Sequence, residues 1–137
     1  MQFIKKHLES CGIKPVTQRF EISRVNPGPK NEKGDDFTEN VYACIPGSEL
    51  PDEIVVVGAH FDHIGYGPRY SRSRGVEIHN GADDNASGTT ALLEVVEALS
   101  ESKLPLRRTV LFAFWDGEEK GLLGSRFFAA HPRRPLE

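Results

Sequence analysis

The sequence predicts an α/β fold: three layers, α/β/α, with a mixed, largely parallel sheet in the middle. Three observations predict it. Ile54 to Ala59 is a continuous run with four β-branched residues, and Thr109 to Trp115 is a second apolar run of strand length. Between them Asn85 to Leu99 carries apolar residues at helical spacing. Strand, helix and strand in that order make a βαβ unit, whose right-handed crossover leaves both strands parallel. A strand without alternation reads as covered on both faces, which places Ile54–Ala59 towards the centre of its sheet.

The elements follow in order. Phe3, Ile4 and Leu8 share one face of a helix over 2–10, with Lys5, Lys6 and Glu9 outside and Gly12 as its stop. Val16 to Ile22 reads as a strand. Residues 24–36 are rich in Pro, Gly, Asn and charge, so they form a loop. Asn40 to Ile45 is a strand with Val41, Ala43 and Ile45 on one face, closed by the Pro46-Gly47-Ser48 turn. Residues 63–80 are loop-like. In the 85–99 helix Leu92, Val95, Val96 and Leu99 line up on the buried face. Gly121 to Ala130 begins a last helix, stopped by Pro132.

Bulk properties exclude some classes. The 137 residues suit one domain with its own core. Charged residues are 27%, and 17 Lys plus Arg against 20 Asp plus Glu leave a formal net charge of -3. That balance argues against nucleic acid or an anionic membrane as partner. No apolar run approaches the roughly 18 residues of a spanning helix. Met1 opens directly into an amphipathic pattern without the layout of a signal peptide, which fits a cytoplasmic protein or a chain whose leader has been removed. Cys11 and Cys44 lack thiolate-zinc spacing and are expected as two free, partly buried thiols rather than a disulfide.

The polar residues sit where the topology has consequences. In α/β sheets ligands bind beyond the carboxyl ends of the strands. His60 and Asp62 lie just past the first strand, Glu118 and Glu119 just past the second, and Asp84 at the front of the connecting helix. His60 and Asp62 are two apart, so at an extended strand end they point the same way. A carboxylate beside a ligating imidazole can hold its other N–H. Taken alone, His-x-Asp is weak, since a capped loop histidine also explains it. Asp83 or Asp84 could be a helix N-cap, but two adjacent carboxylates repel and only one can cap; a cation resolves the pair better. Glu118-Glu119 could be an acidic first turn. It could also divide the work of a hydrolytic metal site, one carboxylate binding metal and its neighbour handling a proton. One imidazole with several carboxylates suits zinc, with manganese or cobalt as alternatives.

Three runs, Val57-Gly58-Ala59-His60-Phe61-Asp62-His63, Gly81-Ala82-Asp83-Asp84-Asn85-Ala86-Ser87-Gly88 and Phe114-Trp115-Asp116-Gly117-Glu118-Glu119-Lys120-Gly121-Leu122-Leu123-Gly124-Ser125, resemble the dizinc exopeptidase family of bacterial leucyl aminopeptidases and the plasma glutamate carboxypeptidase. The resemblance covers nearly the whole chain and is tightest from Ile54 to Phe128. It implies a zinc-dependent aminopeptidase acting on peptides. By position, His60 looks like a terminal zinc ligand, Asp62 its orienter, Asp84 the carboxylate bridging two zincs and Glu119 a ligand of the other. Glu118 looks like the general base that takes a proton from the attacking water and passes it to the leaving amine. The resemblance also implies a cis peptide at Asp84–Asn85.

The family continues beyond the position of Glu137 and draws a second carboxylate ligand and a second histidine ligand from there. Residues 1–137 are therefore expected to form the N-terminal portion of a catalytic domain, its sheet truncated at the C-terminal side, with two zincs in the complete site and one or none here. A sheet short of strands leaves an edge through which the chain is expected to self-associate. His131 does not match the later family histidine, and Glu77 and His79 read as loop-surface residues. Two alternatives accompany this reading: a non-catalytic peptidase-like interaction domain, and a glutaminyl cyclase-like enzyme, which the Asp83–Gly88 run fits less well. Family members are often secreted or periplasmic, which leaves the compartment open.

Overall fold

The structure is a computed structural model that describes residues 1–22, 37–67, 75–102 and 104–132. The elements are α1 (Gln2–Ser10), β1 (Val16–Glu21), β2 (Phe37–Ile45), β3 (Leu50–His60), α2 (Ser87–Glu101), β4 (Arg108–Trp115) and α3 (Leu123–Ala130). The loop expected at 24–36 lies outside the described residues, as do residues 68–74 of the second loop. Among the described residues no helix is long and apolar enough to cross a membrane.

The four strands form one mixed sheet in the order β1-β2-β4-β3. β1 with β2 and β2 with β4 are antiparallel; β3 and β4 are parallel and joined through α2, as the βαβ reading requires. In the parallel pair Val57 is opposite Phe112 and His60 opposite Trp115, so both strands finish level with each other.

Two apolar clusters cover the sheet. On one face Ile4 and Leu8 of α1 and Leu92, Leu93 and Val96 of α2 pack with Val41, Ala43, Phe112 and Phe114. On the other, Phe128 of α3 packs with Tyr42, Leu111 and Ala113. Alternate residues of β2 and β4 thus enter opposite cores, which is why neither strand shows polar alternation.

Four expectations are corrected. β3 is an edge strand of the described sheet, and Val55, Val56 and Val57 are 45%, 47% and 36% exposed. α2 lies against β3, and Ala59 and Ile54 pack on the two apolar clusters, but the valines between them are only partly covered. The buried face of α2 is Leu92, Leu93 and Val96, with Val95 turned outward, because the helix sits against both the sheet and α1. Phe3 of α1 is exposed while Ile4 and Leu8 carry its packing. Both thiols are free, but Cys44 is exposed rather than partly buried; the apolar cluster of Tyr42, Leu111, Ala113 and Phe128 does not extend to it.

Candidate metal centre

The site residues lie where β3 and β4 end. The parallel pairing runs one step past β3, with the Phe61 N–H donating to the Trp115 carbonyl at 3.0 Å. The chain after β4 then turns at Gly117, whose φ of +71° is left-handed and open to glycine at little cost. Residues 118–120 make a single helical turn, and α3 starts only at Leu123, two residues later than the pattern suggested.

Asp62 anchors this turn. Its Oδ1 accepts the Glu118 N–H at 3.0 Å and its Oδ2 accepts the Glu119 N–H at 3.2 Å. Both carboxylate oxygens therefore serve backbone donors, which ties the two glutamates to the end of β3. Asp62 was expected to orient His60. Its carboxylate stands 3.6 Å from His60 Nδ1, beyond a good hydrogen bond, and the nearer acceptor for that nitrogen is the Asp62 carbonyl at 3.3 Å.

A buried polar network holds the same turn from the other side. Asn40, fully buried on β2, accepts the Asp116 N–H at 3.1 Å and donates to the Gly124 carbonyl at 2.9 Å and to Gln18 at 3.0 Å. Asp116 accepts from the Thr38 hydroxyl and from the Gly117 N–H. Burial raises the Asp116 carboxyl above the usual carboxylate range and the nearby Asp62 charge adds to this, against the opposing hydrogen bonds and Lys120.

Asp84 reaches the site from the front of α2. Gly81, with a left-handed φ of +63°, opens the Ala82–Ala86 turn. The Asp84–Asn85 peptide is cis, as the resemblance implied. Neither aspartate caps α2 with its side chain; just ahead of the helix the Asn85 Oδ1 accepts the Gly88 N–H at 2.9 Å. That leaves the Asp84 carboxylate for the site. Thr89 in the first turns of α2 donates its hydroxyl to the His60 carbonyl at 2.8 Å, which fixes the helix against the end of β3.

The predicted residues meet around one nitrogen. His60 Nε2 lies 3.0 Å from Asp84 Oδ1 and 3.9 Å from Glu118 Oε2. His60 is mostly buried while Asp84 is 69% exposed, so the pair sits at a rim open to solvent. Glu119 is not brought to His60; its Oε1 lies 2.8 Å from His63 Nδ1. Among the described residues no group of three His, Cys, Asp or Glu side chains is placed to hold a metal ion. The donor chemistry of His60 with Asp84 fits zinc, but two donors fall short of the roughly four that a stable zinc site uses.

Other candidates stay outside this meeting point. His79 packs edge-on against His63, with ring centroids 6.4 Å apart, and donates from Nε2 to the Gly67 carbonyl at 3.0 Å. Glu77 is exposed beside Gly75. His131 is exposed at the end of α3, stacked on Phe127. Sequence reasoning missed His63. The only trace it left was its place in the His60-Phe61-Asp62-His63 run.

The sheet thus gathers an imidazole and carboxylates beyond the ends of its parallel strands, the place where α/β folds bind ligands. Comparisons with known proteins give the family. The model of Peptidase family M28 matches residues 40–136, and the chain belongs to that family. It is 39% identical over 137 residues to a probable leucine aminopeptidase of Arthroderma otae, covering 90% of this chain and 35% of that one. It is 39% identical over 92 residues to Aminopeptidase Y of Saccharomyces cerevisiae, covering 67% of this chain and 14% of the relative. Transferrin receptor protein 2 of Rattus norvegicus is 35% identical over 111 residues, covering 74% and 12%.

Among solved structures, a glutaminyl cyclase of Porphyromonas gingivalis superposes with a TM-score of 0.72 at 23% identity over 97% of this chain and 46% of that one. A zinc aminopeptidase of Bacillus subtilis superposes with a TM-score of 0.55 at 28% identity over 71% and 21%. The chain thus spans between about a tenth and a third of these curated relatives' own length.

Proposed function

We propose that this chain carries part of the catalytic centre of a zinc-dependent aminopeptidase that hydrolyses the N-terminal peptide bond of a peptide. The observation that carries the reading is the meeting at His60 Nε2, 3.0 Å from Asp84 and 3.9 Å from Glu118, of side chains from three separate segments. His60 and Asp84 would hold zinc, and Glu119 would add a third donor. Bound there, zinc would polarise the scissile carbonyl and the attacking water. Glu118, half-buried beside that pair, takes the proton from the water and returns it to the leaving amine. Asp62 keeps Glu118 and Glu119 in reach through their amides. The complete site would hold two zincs, of which this chain by itself would retain one. Residues 1–137 are in this reading the N-terminal portion of the catalytic domain.

Elemental analysis of the purified chain, with hydrolysis of an aminoacyl-anilide at added zinc, tests this. Zinc should be retained and His60→Ala should strip it. Glu118→Gln should lower turnover by about 10²–10⁴-fold, the usual contribution of a general base. Full turnover in Glu118→Gln refutes the base, and a chain that never retains zinc refutes the centre.

A non-catalytic interaction domain is the second reading. It is favoured by the lack, among the described residues, of a three-donor group, and by the 35% identity to a receptor. It predicts a folded chain without turnover at excess zinc. The glutaminyl cyclase likeness, at 23% identity, is one of fold alone. Turnover of an N-terminal glutaminyl peptide but not of the anilide would favour it.

Self-association is proposed through β3. Its outer edge has no strand partner among the described residues, and its three valines are exposed. An apolar unpaired edge templates another strand, here that of a second copy. Light scattering should show a dimer; a monomer at high concentration overturns this.

A further inference from the structure

The Glu119 carboxylate is held by a residue that the reading above does not use. His63 Nδ1 lies 2.8 Å from Glu119 Oε1, with side chains only 23% and 15% exposed. A carboxylate can only accept, so the ring must donate, and Nδ1 carries the proton at this contact. The ring is also seated. A Cβ at Gly81 would lie 2.7 Å from His63 Cγ and 2.8 Å from its Cδ2, so the imidazole rests on bare glycine backbone. The edge of His79 packs against it, and His79 is itself fixed by the Gly67 carbonyl. Gly81 in turn opens the turn that carries Asp84. His63 therefore touches the segments that present both carboxylates, one on each side of the site.

We propose that His63 is a positioning residue for Glu119: its Nδ1–H holds one carboxylate oxygen so that the other is presented to a cation, and its seat on Gly81 sets Glu119 relative to the Asp84 turn. The inference rests on the metal-centre reading. An outer hydrogen bond of this kind fixes the orientation of a ligand before the metal arrives, which lowers the ordering cost of binding. Any larger residue at Gly81 would displace the ring, so glycine serves both the turn and the seat.

The test has two independent readouts on the intact chain. Nitrogen-15 NMR of the imidazole rings at mildly alkaline pH reads the tautomer without metal. His63 should be the Nδ1–H form, and Glu119→Ala should release it towards the Nε2–H form that free imidazole side chains favour. An Nε2–H or averaged ring in the intact chain overturns the proposal. Calorimetric titration with zinc chloride then reads the consequence. His63→Ala should weaken binding by about 10–100-fold, the usual effect of removing an outer partner. His63→Asn, whose amide N–H can occupy the Nδ1 position, should recover most of it. Unchanged affinity in His63→Ala overturns the proposal, and so does an equal loss in His63→Asn with a folded amide spectrum. A chain with the expected tautomer that takes up no zinc brings down the metal-centre reading, and the positioning role with it.

Discussion

β3 and β4 lie side by side and are alike in sequence, yet only one of them is in the core. Leu111, Phe112, Ala113 and Phe114 of β4 are at most 6% exposed, while Val55, Val56 and Val57 of β3 are 36% or more. The two strands pair in parallel over the same residues, so their difference is not one of backbone hydrogen bonding. It is one of cover. β4 has β2 on its other side and takes α1 and α2 on one face and α3 on the other. β3 shares α2 with it but, among the described residues, has a strand on one side only. An apolar run reports that a strand can be buried; what buries it is a property of other segments.

Mutations can break or sharpen that contrast. The largest effect is expected at Phe112, which is fully buried. Phe112→Ala should cost about 3–5 kcal/mol and Val56→Ala under about 1.5 kcal/mol, read by denaturant unfolding. Similar costs at the two sites would show that β3 is covered in solution. Next is Gly124→Ala at the start of α3. The new Cβ would fall 2.2 Å from Asn40 Oδ1 and 2.4 Å from the Asp116 carbonyl oxygen, both inside the network that closes β4. Overpacking of this kind costs about 1–3 kcal/mol, and an unchanged melting temperature would mean that the network yields freely. Val56→Lys should leave the unfolding free energy of the monomer within about 0.5 kcal/mol while abolishing dimers in light scattering. Persistent dimers would move the contact away from β3.

The smallest effect is a pH dependence. The Asp116 carboxyl is raised above 3.8 chiefly by burial, so the fold favours its protonated form. Stability from this source is fully present below the unfolded value and is lost as pH rises through the higher folded value. Asp116→Asn keeps an acceptor for the Gly117 N–H and removes the buried charge. Its melting temperature should therefore fall less than the parent's as pH rises through that window. A parent that gains stability there relative to the variant would reverse the sign.

Much of the fold was legible because its signals are local. The β-branched run, the helical spacing of Leu92 and Val96, and the Gly12 stop after α1 each act within a few residues. The gathering of His60, Asp84 and Glu118 was legible at one remove, since parallel strands joined by a helix must end at the same edge. The exposure of β3 was not legible, nor the outward turn of Val95, because each depends on which helix arrives from elsewhere. His63 was hidden for the same reason. Its partner Glu119 is 56 residues away in sequence, and its seat is a missing side chain at Gly81.

The sequence by itself determined which segments become strands and helices, that β3 and β4 run parallel, and that acids and an imidazole collect beyond their ends. These follow from chain chirality, side-chain branching and period, which need no distant partner. Only the tertiary structure decided that Asp84 and not Glu119 meets His60, that Asp62 serves two backbone amides, and that one apolar strand is buried and its neighbour half-exposed. Those outcomes turn on contacts between residues far apart in the chain, where an ångström or two decides which acceptor a donor finds.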